Sequence, residues 1–191
     1  MRRAVVPLAV LAALALSSCT LVSPNATPSR IPSKSVPFGL LDPTIPGTNH
    51  ARVRFITQPV YIVDASGHLA PSSRIVPSPP ALATVVEQLL LGPTPIEVSA
   101  GYTSALPKTL VVISANVVNN IGYINFATSL SSLARAQQLL AIGQLVLTAD
   151  VVGATKGLEI RVAGTPQELL LPNGKRTKLA TPNDFQSLLN A

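Results

Sequence analysis

Leu110-Val111-Val112-Ile113-Ser114-Ala115-Asn116-Val117-Val118, then Asn119-Asn120, then Ile121-Gly122-Tyr123-Ile124-Asn125-Phe126 is the stretch on which the fold turns. Two β-rich runs flank a pair of asparagines, and asparagine tolerates the positive φ of a tight hairpin turn. An antiparallel strand pair is expected here. Downstream, Leu133 to Ala149 reads as a helix. Leu133, Ala136, Leu140, Gly143 and Leu147 share one face, and Gln137, Gln144 and Thr148 form a polar stripe opposite.

The same order appears upstream. Arg52 to Asp64 is β-rich, although Pro59 confines it to an edge strand or a break. Ala65-Ser66-Gly67 is a turn, and Leu69 to Val76 is the return strand. Ser78 is the expected N-cap of a helix opened by Pro79-Pro80. Leu82, Val85, Val86, Leu89 and Leu90 give it one apolar face, and Gly92-Pro93 stops it. Thr94 to Lys108 reads as a loop.

Beyond the second helix, Gly157 to Val162 reads as a strand. Leu169-Leu170-Leu171 and Lys175 to Leu179 flank Pro172-Asn173-Gly174, a hairpin signal. Thr181-Pro182-Asn183-Asp184 resembles a capping box that starts a short C-terminal helix. The order predicts one α+β domain over 51–191. Its sheet is largely antiparallel, with two main helices and a short third one in a ββα-ββα arrangement.

Ahead of the domain, residues 19–50 carry Pro24, Pro28, Pro32, Pro37, Pro43 and Pro46 among Ser, Thr and Asn, the composition of a semi-rigid tether. Residues 1–18 begin with Arg2-Arg3, continue through an apolar run and end in Leu16-Ser17-Ser18, the pattern of a cleaved signal peptide. The run is shorter than the roughly 20 residues of a membrane span. Cys19 follows at once and is the chain's only cysteine. This segment resembles a bacterial lipobox, in which the thiol receives a diacylglycerol. Two acyl chains then anchor the mature protein to the outer face of the cytoplasmic membrane.

Removing 18 of the 191 residues leaves 173. Losing Arg2 and Arg3 lowers the basic count from 14 to 12 against 8 acids, a net charge of +4. The basic residues are scattered, so the charge does not outline a nucleic-acid footprint. His50 and His68 are the only histidines and stand apart in tether and turn, so neither metal ligation nor a histidine-based nucleophile is expected. The sequence contains no phosphate loop, dinucleotide fingerprint or nucleophile elbow. A non-catalytic protein without a cofactor is the expectation.

Two features remain for contact. Gly92 to Pro107 is the longest irregular stretch of the domain, and long ordered loops tend to be functional. Gly92, Pro93, Thr94, Gly101, Tyr102 and Pro107 mark it as the candidate interaction surface, Tyr102 being its aromatic residue. Lys175, Arg176 and Lys178 cluster on the last hairpin, where they can meet anionic lipid or wall polymer.

Six segments carry a resemblance to a known family. They are Val60-Tyr61-Ile62-Val63-Asp64, Leu89-Leu90-Leu91-Gly92-Pro93-Thr94, Gly101-Tyr102-Thr103-Ser104-Ala105-Leu106-Pro107, Gly122-Tyr123-Ile124-Asn125-Phe126, Gln144-Leu145-Val146-Leu147-Thr148 and Ile160-Arg161-Val162-Ala163-Gly164-Thr165-Pro166. In this order they resemble the GerMN domain of sporulation and germination proteins, which also occurs in actinobacterial lipoproteins of the LpqB type. The resemblance implies an extracytoplasmic, non-catalytic module that mediates interaction or assembly in the cell envelope. It brings no catalytic residues. Ala163 stands where the family usually has an acid, and residues 149–156 depart from its pattern. The alternative is a lipoprotein that carries or senses a lipid or glycolipid inside the fold, which calls for a mostly apolar pocket of several hundred Å3.

Overall fold

Pro59 lies inside a strand, and the register explains how. In the computed structural model, which describes residues 53–189, β1 (Phe55–Val63) pairs antiparallel with β2 (Leu69–Pro77). The leader, Cys19, the tether and His50 lie outside the described residues. The N–H groups of Tyr61 and Val63 turn away from β2, donating to Thr148 Oγ1 at 2.9 Å and to the Thr103 carbonyl at 3.0 Å. Pro59 shares their parity, so its missing N–H falls on the edge that owes β2 no bond. Asp64 Oδ1 closes the β1–β2 turn by accepting from the N–H groups of Ser66 (2.8 Å) and His68 (2.9 Å).

Helix α1 (Leu82–Leu90) buries Leu82, Val85, Val86 and Leu89, the face its periodicity predicts. Its N-cap is Ala81, in place of the expected Ser78, and makes no side-chain cap bond. Ser78 and Pro79 each precede a proline, which drives them to extended backbone and delays the helix.

Four strands form the main sheet in the order β3 (Val112–Val118), β4 (Ile121–Phe126), β5 (Gly157–Val162) and β6 (Thr165–Pro166). Asn119 and Asn120 turn β3 into β4 with φ of 52° and 65°, as the sequence predicts. β4 and β5 run parallel, from Ile121 opposite Gly157 to Phe126 opposite Val162. Parallel neighbours need a crossover, and α3 (Arg135–Asp150) supplies it. β7 (Leu169–Leu170) and β8 (Arg176–Thr177) pair antiparallel around the Asn173-Gly174 turn. A 3-10 helix at Pro182–Leu188 starts from a Thr181–Asp184 capping box and buries Phe185. The fold is a single α+β domain whose antiparallel pairings are spread over three sheets, with one parallel pair at the centre.

Two features of α3 depart from expectation. It begins at Arg135, because Ser129 caps a 3-10 turn at Leu130–Ser132 and Leu133 ends that turn. Its polar stripe is also split: Gln137 is exposed, but Gln144 and Thr148 are both 0% exposed. α3 is buried continuously from Ala141 to Ala149, packed on β1, β5, α1 and the C-terminal 3-10 helix. The two polar side chains satisfy the β1 edge left open by the two-stranded sheet. Gly143 permits this packing, since a Cβ there would come within 2.7 Å of Leu69 Cδ1 and 3.0 Å of Phe185 Cδ1.

Candidate interaction surface

The segment from Gly92 to Pro107 is more ordered than a loop. Pro95–Ser99 forms a short helix, α2, started by a reciprocal capping box. The Thr94 N–H donates to Glu97 Oε2 at 2.6 Å, and the Glu97 N–H donates to Thr94 Oγ1. Thr94-Pro95-Ile96-Glu97 carried that signal in the sequence: a capping threonine, proline at the first helical position and an acid three residues on.

The same Glu97 bolts the segment to the β1–β2 hairpin. Arg74, itself buried, meets both carboxylate oxygens, Nη1 to Oε1 at 3.0 Å and Nη2 to Oε2 at 2.9 Å. Arg74 Nη2 also donates to the Gly92 carbonyl at 3.2 Å, and the Ser72 hydroxyl donates to Glu97 Oε1. A forked pair of this kind fixes orientation as well as distance. Desolvation pushes the Glu97 carboxyl up, yet the bonds from Arg74, Ser72 and Thr94 outweigh it and hold the pKa at about 2.

The six residues singled out from sequence mostly build this mount. The Gly92 carbonyl receives Arg74, and Thr94 caps α2. Gly101 adopts φ +86°, and a Cβ there would sit 2.9 Å from Ala65 Cβ. Tyr102 is half-buried against the core, its N–H donating to the Glu97 carbonyl at 2.9 Å. Pro93 and Pro107 are half-buried, and the Pro107 carbonyl accepts from Leu110. What the mount presents are apolar side chains that sequence reasoning passed over: Leu91 at 76% exposure, Ile96 at 82%, and Val98. Their signal was present, since three aliphatic residues within eight positions lie beyond the buried face of α1.

Elsewhere, Lys175, Arg176 and Lys178 are all exposed on the β7–β8 arm. The Arg135 guanidinium joins them, within 3.4 Å of where a side chain on Gly174 would stand. On the outer face of the main sheet, Ser114, Asn116, Asn125 and Arg161 line an open groove of about 350 Å3. Arg161 lies over the Tyr123 ring at 5.1 Å and pairs with Glu159 at 2.7 Å. A smaller recess, of about 150 Å3, opens beside the N-terminal half of α3. Among the described residues no three His, Cys, Asp or Glu side chains gather as a metal set, and no helix is long and apolar enough to cross a membrane. His68 is exposed in the β1–β2 turn.

Comparison with known proteins agrees with this architecture. The structure is similar to the tandem GerMN domains of the sporulation protein GerM from Bacillus subtilis, at TM-score 0.52 and 14% identity. That match covers 68% of this chain and 47% of the tandem structure, so the chain spans about half its length. The first GerMN domain of the same protein matches at TM-score 0.51 and 15% identity, covering 67% of this chain and 98% of that domain. No curated protein matches the sequence. The Germane family, described as "Sporulation and spore germination", matches residues 59–168. With more than half of its length matched, the chain belongs to the Germane family and carries a GerMN domain.

Proposed function

We propose that the protein is a non-catalytic module of the cell envelope that works by protein contact. Lipidated Cys19 holds it on the outer face of the cytoplasmic membrane, and the tether of residues 19–50 displays the domain to a neighbouring envelope protein. The family's description and the likeness to GerM support a place among sporulation- or germination-type assemblies.

One observation carries the contact reading. Leu91, Ile96 and Val98 expose aliphatic surface on a segment that the Arg74–Glu97 pair and the Thr94 cap hold in one conformation. A backbone segment already fastened in place loses little conformational entropy on binding, and its exposed aliphatic side chains give a partner apolar surface to cover. Carriage of a lipid or glycolipid is less well supported. The 350 Å3 groove is open and mixes Ser114, Asn116, Asn125 and Arg161 with Val118 and Tyr123, and the 150 Å3 recess is below the size such ligands need.

The test is photo-crosslinking in the exporting cell, with a benzophenone side chain at Ile96 and, as control, at the exposed Lys156. The proposal expects a discrete protein adduct from position 96 and none from 156. Equal labelling at both positions, or none at 96, contradicts it.

A further inference from the structure

Three glutamines are buried in this domain, and two of them are spoken for. Gln58 donates to the Val151 carbonyl at 3.0 Å, and Gln144 bridges Tyr61 and Ala105. Gln138, on the first turn of α3, is only 8% exposed, yet its side-chain amide has no partner among the described residues. An amide that makes no bond within the chain and faces a recess has its donors and its acceptor free for water or a ligand. The amide is not sealed off, because Gln138 lines the recess of about 150 Å3 and keeps its polar atoms open to it.

The rest of that recess narrows the chemistry. Ile142, Ile160 and Leu169 line it with apolar surface, enough for a side chain of a few carbons and too little for an acyl chain. Arg176 and Glu168 also line it, exposed, and neither forms an ion pair among the described residues. A guanidinium free of an acidic partner offers a planar fork that suits a carboxylate. A primary amide supplies both donor and acceptor and so matches a peptide group. We propose that this recess binds the carboxyl-terminal residue of a short peptide: its carboxylate on Arg176, its peptide group on Gln138, and a small apolar side chain on Ile142, Ile160 and Leu169. Glu168 disfavours a ligand with a second carboxylate at the rim. The site is independent of the contact surface around Ile96 and stands or falls separately.

Saturation-transfer NMR on the detergent-solubilised full chain tests this, with acetyl-Gly-Val, its carboxyl-terminal amide and free valine as probes. Saturation should reach the valine methyls of acetyl-Gly-Val, with a Kd of about 1 mM, a fair affinity for so small a ligand. The amide and free valine should each bind roughly tenfold more weakly, the loss of one charge-assisted or buried bond. Gln138→Leu should weaken acetyl-Gly-Val by a similar factor while leaving the melting temperature within about 2 °C, because the amide makes no bond within the chain. Arg176→Ala, on the exposed arm, should abolish the preference for acid over amide. No transfer at about 10 mM means the recess holds ordered water only and overturns the proposal. Binding that survives Gln138→Leu, or valine binding as well as the acetylated peptide, also overturns it.

Discussion

Gln144 clamps Tyr61 from across 83 positions of sequence: its Nε2 donates to the Tyr61 carbonyl at 3.0 Å while its Oε1 accepts from the Ala105 N–H at 2.8 Å. Thr148, one turn on, accepts from the Tyr61 N–H at 2.9 Å. Between them, two side chains of α3 replace the strand that β1 lacks on its outer edge. They also fasten the end of the segment that carries the contact surface. Gln144→Leu keeps the volume but orphans the half-buried Tyr61 carbonyl and the buried Ala105 N–H, and should cost about 2–4 kcal/mol. Gln144→Glu keeps the acceptor for Ala105 and loses the donor to Tyr61. Denaturant midpoints within error of wild type for both variants would show that the clamp contributes nothing.

Gly143→Ala inserts a methyl between Leu69 and Phe185, at 2.7 and 3.0 Å from their side-chain carbons. Helix propensity alone favours alanine by about 1 kcal/mol. Overpacking should exceed that and leave a net loss of about 1–2 kcal/mol, since well-packed cores yield poorly to added methylenes. A stabilised variant would show that α3 can shift away from the C-terminal 3-10 helix.

These helix residues also show where the sequence was legible. Asn119-Asn120 was readable because a two-residue turn is a local problem that asparagine solves locally. Leu82, Val85, Val86 and Leu89 were readable because α1 buries one face. In the second half of α3 the periodicity failed, since the stretch from Ala141 to Ala149 is covered on all sides and leaves no solvent face for Gln144 and Thr148 to mark. Their partner Tyr61 lies in another element, and nothing near α3 in sequence announces it. The parallel pairing of β4 and β5 depends on the same crossover. The site was half legible. The segment was found by its length and prolines, but its inner and outer residues were interchanged in emphasis. Thr94 and Tyr102 support, while Ile96 projects.

The Arg74–Glu97 pair predicts a pH dependence. Glu97 has its pKa lowered from 4.5 to about 2, so its contribution to stability is complete above 4.5 and is lost as pH falls from 4.5 through 2. Glu97→Gln should be less stable than wild type at pH 7, and the gap should close across that window. A constant gap from pH 5 to pH 2 in thermal unfolding would contradict the pairing. Arg74→Ala should cost about 2–3 kcal/mol, less than a fully sealed pair because Glu97 keeps 17% exposure.

Cys19→Ala should release the protein from membranes or leave it unprocessed, because a cleaved leader alone gives no lasting attachment. Recovery of the variant in the membrane pellet after a high-salt wash would remove the lipid anchor from the account.

The central claim is that contact runs through the apolar side chains and that the half-buried residues hold them in place. Ile96→Asp and Tyr102→Ala separate the two roles when melting temperature and recovery of the Ile96-crosslinking partner from native membranes are measured on each variant. Ile96→Asp, at a side chain 82% exposed, should keep the melting temperature within about 2 °C and lose the partner. Tyr102→Ala should lower the melting temperature by about 4 °C or more, because it strips packing from the core. Full recovery of the partner by a stably folded Ile96→Asp protein would contradict the account.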